Sequence, residues 1–173
     1  MKMTKLFLLL ASISVLAISS DRGATAATAT YNLSVTASVI KACTIGTTAV
    51  AFSPYDPTDA TANNTGQGTV TIKCTPGTAP TVALGLGNNV TTGNQRNMKD
   101  IATGGTNLLQ YGLFQDNNRS IAWGDGAQGG AVVTPSPVVD NKAVTFQVYG
   151  QIPALQSVPE ASYADLVVAT VNF

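Results

Sequence analysis

From Thr28 to Ile40 apolar and polar residues alternate without a break. Tyr31, Leu33, Val35, Ala37 and Val39 fall on one face; Asn32, Ser34, Thr36 and Ser38 fall on the other. A period of two is the signature of an extended strand with one buried face. Thr, Val and Tyr favour a pleated backbone, and no Gly or Pro interrupts the run. The pattern recurs down the chain. It predicts strands over 43–52, over 68–74 with Val70, Ile72 and Cys74 on one face, and over 81–86. Further strands are expected over 108–115, with Leu109, Tyr111 and Leu113 inward, and over 142–152, with Val144, Phe146 and Val148 inward. Residues 96–98 and 120–123 read as shorter pieces. The last strand spans 163–173, where Val167, Ala169, Val171 and Phe173 share a face. Turn formers separate these runs: Pro54 and Pro57, Pro76 and Gly77, Asp116 to Asn118, and the glycines of 124–130. No segment keeps a helical period. Short strands between Gly, Pro and Asn turns predict one all-β sandwich domain.

Composition narrows the chemistry. The chain of 173 residues has no histidine, which removes Ser-His-Asp and Cys-His catalysis and His-ligated zinc. Nine Lys and Arg balance nine Asp and Glu, and charged residues make up 10%. Without a basic cluster the electrostatic footing for nucleic acid is missing, and weak self-repulsion favours association.

At the front, Lys2 and Lys5 precede an apolar run from Leu6 to Ile18 and then small residues. This is the layout of a secretion signal, too short to cross a bilayer comfortably. Cleavage is expected after Ala26, the end of Ala24-Thr25-Ala26, or after Ala29. Stable membrane insertion is not expected. Export makes the cysteines informative: Cys43 and Cys74 are the one pair, expected to be joined, with two free buried thiols as the alternative.

Candidate active groups are thin. Asp56 with Asp59, or Asp116 with Asp125, could pair for acid–base work, but all lie in turns where Asp commonly bonds its own backbone. The segment around Gly124 to Gly126 lacks spaced oxygen ligands for calcium. Gly85-Leu86-Gly87 lacks the lysine and helix of a phosphate loop. Trp123, Tyr55, Tyr111, Tyr149 and Tyr163 read as core aromatics. No catalytic residue, metal or cofactor is expected.

One set of segments, taken in order, carries a resemblance. It comprises Cys43, Phe52-Ser53-Pro54-Tyr55, Gly68 to Thr75, Arg96-Asn97-Met98, and Leu109 to Asp116. Trp123 to Gly126, Val148 to Pro153 and Ser162 to Phe173 complete it. Together they resemble the spore coat protein U domain family, which includes Csu-type subunits of archaic chaperone–usher pili. Ala161 stands where that family often has Gly. The resemblance implies an immunoglobulin-like sandwich lacking one strand, filled first by a periplasmic chaperone and then, at an outer-membrane usher, by the N-terminal extension of a neighbouring subunit. It divides the chain into a leader (1–26), a donor strand (27–39) and the domain proper (40–173). Tyr31, Leu33, Val35, Ala37 and Val39 become the donor plugs. The last strand, with Tyr163, Asp165, Val167, Ala169, Val171 and Phe173, becomes the border of the acceptor groove. The implied role is a surface-fibre subunit for adhesion or biofilm formation, exported through the periplasm to the cell surface. A secreted coat protein and a self-contained periplasmic binding module are the alternatives, and in the last of these residues 28–39 would fill the chain's own core.

Overall fold

The second predicted strand shows how the pattern is realised. Strand β2 (Gln67–Cys74) buries Gly68, Val70, Ile72 and Cys74 and leaves the residues between them more accessible. It is the centre of an antiparallel sheet. On one side lies β1 (Cys43–Ala51), with Cys43 opposite Cys74 and Thr47 opposite Val70. On the other lies β7 (Val144–Gln151), which also carries β6 (Gly112–Phe114). Two smaller antiparallel sheets, all-β like the first, complete the fold: β3 (Thr81–Leu84) with β9 (Ala169–Asn172), and β5 (Leu108–Gln110), β4 (Asn97–Asp100) and β8 (Tyr163–Ala164) in that order. The computed structural model describes residues 26–102 and 104–173, and contains no helix among them. The predicted leader, apart from Ala26, lies outside the described residues.

All three sheets feed one buried cluster. The larger sheet supplies Val70, Ile72, Leu113 and Val148, and the smaller ones supply Val82, Leu84 and Leu109. Trp123, fully buried, sits among them. Its indole N–H donates to the Val82 carbonyl at 3.0 Å, and its ring meets Phe146 edge-on with centroids 6.4 Å apart. A buried indole needs such a partner. Cys43 and Cys74 form a disulfide between directly opposed strand positions, with Cα atoms 4.1 Å apart.

Three of the longer predicted strands differ from what is observed, and the short piece 120–123 makes only isolated bridges, Ala122 to Phe114 and Trp123 to Ala131. The run 108–115 is two strands, because the chain changes sheets at Tyr111: β5 pairs with β4, whereas β6 pairs with β7. The run 163–173 is also two. β8 pairs with β4 and β9 with β3, and residues 165–168 between them lie in neither ladder. The inward set Leu109, Tyr111 and Leu113 runs straight through the first break, so the pattern does not mark it; at the second the alternation loosens, with Asp165 on the apolar face and Leu166 and Val168 on the other. The run 28–40 forms no strand. Residues 26–42 join no ladder, and Tyr31, Leu33, Val35 and Val39 are 84–100% exposed. Alternation supplies a face to bury, but a strand also needs a neighbour for its N–H and C=O groups.

Candidate functional site

A groove lies between two terminal strands, β1 and the segment that leads from β8 into β9. In the sheet order β1 is terminal, bonded only to β2, and β9 is bonded only to β3. A cleft of about 380 Å3 is walled on one side by Thr47, Thr48, Ala49 and Val50 of β1 and on the other by residues 163–167 and Ala169. Its floor is the core itself: Val70, Leu84, Leu113 and Val148 are nearly inaccessible yet line it. A second cavity of about 710 Å3 shares Val50, Phe52, Met98 and Tyr163 with the first and extends it past Pro54, Tyr55, Leu109 and Val158. The result is one long, mainly apolar channel bordered by terminal strands.

Local sequence explains the walls. β1 slips register against β2 between Thr48 and Ala51, a bulge that bends it away from regular pairing. Gly68 makes the bulge possible: a Cβ there would sit 2.8 Å from a Val50 methyl and 2.9 Å from the Thr48 carbonyl. Phe52 lies over Gly66 and Gly150, where a Cβ would meet its ring at 2.4 and 2.5 Å. Most of β1 is accordingly exposed, with only Cys43 and Val50 half-buried.

The opposite wall is held by a partly buried polar network. Asp165 accepts from the Tyr111 hydroxyl at 2.6 Å, from the Asn88 N–H at 2.9 Å and from the Asn89 side-chain amide at 2.8 Å. These bonds hold the chain at the point where it leaves the β8 ladder and, further on, enters that of β9. Burial raises the Tyr111 pKa, and the hydrogen bond to Asp165 adds to the shift. Arg96, 4% exposed, donates to the carbonyls of Leu84 and Gly85 and to that of Trp123 at 2.7–3.0 Å. Burial lowers its pKa, but a guanidinium stays charged throughout the ordinary pH range. Arg96 thereby fastens the end of β3, against which β9 lies. Sequence reasoning missed this residue's role. Its one signal was an arginine in a low-charge chain, inside a stretch of Gly and Asn where no solvated charge cluster accompanies it.

The predicted site residues fall as follows. Tyr163, Asp165, Val167 and Ala169 line the cleft. Val171 is half-buried opposite Val82 of β3, and Phe173, beyond β9, is 55% exposed. The plugs Tyr31, Leu33, Val35, Ala37 and Val39 are exposed. The carboxylates considered for chemistry bond to their own turns. Asp56 binds the hydroxyl and N–H of Thr58, and Asp59 those of Thr61. Asp116 takes the N–H groups of Ser120 and Ile121, and Asp125 those of Ala127 and Gln128. Hydrogen bonds to the ionised form lower all four pKa values, the opposite of what a general acid needs.

Known proteins are similar to this chain. Protein U of Myxococcus xanthus is 35% identical over 167 residues, spanning 87% of this chain and 88% of that one. Among solved structures, a chaperone–tip adhesion subunit pre-assembly complex (CsuC–CsuE) from the archaic chaperone–usher Csu pili of Acinetobacter baumannii superposes with a TM-score of 0.55. The identity is 23%, and the match covers 78% of this chain but only 40% of the solved one. That likeness is one of fold, an immunoglobulin-like β-sandwich. The spore coat protein U domain model matches residues 29–170, and the chain belongs to that family of structural, non-catalytic proteins.

Proposed function

We propose that the chain is a structural subunit of a secreted surface fibre, linked to its neighbours by strand exchange. The single observation that carries this is the groove between two terminal strands, with the hydrophobic core as its floor. An extended segment laid there gains main-chain hydrogen bonds from the edges, while its alternate side chains enter the channel. Residues 27–39 have that alternation, and their apolar side chains are exposed. Seating Tyr31, Leu33 and Val35 of one copy in the groove of another contributes roughly 5–9 kcal/mol before ordering costs.

A head-to-tail link does not close on itself, so repetition gives a fibre. Withdrawal of a seated strand requires the sandwich to open, which makes the link kinetically durable. A periplasmic chaperone would cover the groove before assembly and an outer-membrane usher would supply the exchange, giving a pilus that serves adhesion or biofilm formation. The family and the Myxococcus relative favour, as a second reading, a coat layer at the cell or spore envelope built from the same link.

The test is a gel. The mature protein, expressed with its signal and a matching chaperone, is run in SDS with and without boiling. A ladder that collapses on boiling, and that disappears when residues 28–39 are deleted, is expected. A single monomer band under both conditions would overturn the reading.

A further inference from the structure

Strand addition at an open edge is indiscriminate, so a subunit that joins through one groove must close its other edges. The edge of β5 is a competitor. The Tyr111 N–H donates to the Arg96 carbonyl at 3.1 Å and the Asp100 N–H to the Asn107 carbonyl at 3.1 Å. Those bonds fix which residues face β4. In an antiparallel ladder successive residues point opposite ways, so the N–H and C=O of Gln110 point outward. Both are taken by one side chain. The Gln110 N–H donates to Gln156 Oε1 at 2.7 Å, and Gln156 Nε2 donates to the Gln110 carbonyl at 2.9 Å. A primary amide presents one acceptor and one donor side by side, as a paired peptide does.

The loop carrying Gln156 is built to aim it. The Gln156 N–H donates to the Tyr55 hydroxyl at 2.8 Å, which in turn donates to the Pro153 carbonyl at 2.9 Å. Gln156 Nε2 also reaches the Pro153 carbonyl at 3.2 Å. Leu155, just before it, adopts φ 58°, a left-handed conformation unfavourable for a residue with a Cβ, although its side chain is 64% exposed.

We propose that Gln156 is a specificity-determining residue of assembly: it occupies the outward main-chain pair of Gln110 as a one-residue strand, leaves only the outward pair of Leu108 on the β5 edge, and so biases strand addition toward the groove. This rests on the reading of the groove given above. Asn is too short for the reach, Glu has no donor for the Gln110 carbonyl, and an aliphatic residue leaves the edge bare.

The experiment uses the full mature chain carrying Leu33→Asp, which disables the groove link, with and without Gln156→Leu. Amide exchange and sedimentation velocity are the readouts. In the double variant the Gln110 amide is expected to exchange on the order of fivefold faster or more, while the Leu109 amide stays protected. The protein is expected to form SDS-labile oligomers at a concentration about tenfold below that needed by Leu33→Asp alone. Gln110→Pro, which removes the outward N–H and leaves the β4–β5 bonds intact, should return it to monomer. Gln156→Glu keeps the acceptor and loses the donor, and should act in the same direction if Gln156→Leu does not fold. Unchanged exchange at Gln110, or a foldable Gln156 variant that stays monomeric, would overturn the assignment. A boil-sensitive ladder in Leu33→Asp alone would instead overturn the groove reading, and amide exchange would still test Gln156.

Discussion

Residues 31–39 and 163–173 have nearly the same grammar, an apolar residue at every second position, yet one is bare and the other built in. Val82, Ala83 and Leu84 of β3 give the second stretch a ladder, and Val171 packs into it. The first stretch has no ladder, and its large side chains are exposed. The difference is one of supply. Alternation states what a segment needs, and the fold of residues 43–173 meets that need for one stretch and leaves a vacant channel beside it.

The comparison breaks or sharpens at measurable points. Leu33→Asp is expected to remove the boil-sensitive ladder completely while leaving the monomer's melting temperature unchanged, since Leu33 supports assembly and not the isolated fold. A melting temperature that falls with it would erase the contrast. Replacing Cys43 and Cys74 by Ala should cost about 3–4 kcal/mol in denaturant unfolding, because the bond closes a loop of 31 residues. Arg96→Met should cost about 3 kcal/mol, leaving the carbonyls of Leu84, Gly85 and Trp123 without their donor. Val171→Ala should cost about 1–2 kcal/mol of monomer stability, where Val35→Ala costs none. The smallest effect is acid sensitivity. The lowered pKa values of Asp56, Asp59, Asp116 and Asp125 give stability that is present above their ordinary value of 3.8 and lost as pH falls through the lower folded values. Changing all four to Asn should flatten that decline in a pH series of melting curves.

Much of the fold was legible because burial imposes a period of two. Val70, Ile72 and Cys74 in β2, and Val148 in β7, are inward as the pattern requires. The disulfide was legible because an exported chain with two cysteines has one way to pair them. The break at Tyr111 was not, since its side chain stays in the shared core and so keeps the alternation, and the break at Asp165 shows in the sequence only as a polar residue on an otherwise apolar face. Of the candidate site, the apolar border at Val167 and Ala169 could be read from pattern. The anchors could not. Arg96, Asp165 and Gln156 act through polar groups distant in sequence, most of them main-chain carbonyls and N–H groups, and such partners leave no periodic trace. Asp165 appeared in the chain only as one more position of the last strand, and its hold on Tyr111, Asn88 and Asn89 emerges only in three dimensions.

The position of the Cys43–Cys74 bond has a mechanical consequence. Tension arriving along the chain from residue 39 meets the contacts of Ile40 and Ala42 with Thr75, and then this covalent bond, before any hydrogen bond of Thr44 to Ala51. Load therefore passes directly into β2, the interior strand of its sheet, and β1 cannot be peeled from its leading end. Forced unfolding is governed by the barrier at the point where load enters, so β1, bonded on one side only, is shielded by its first residue.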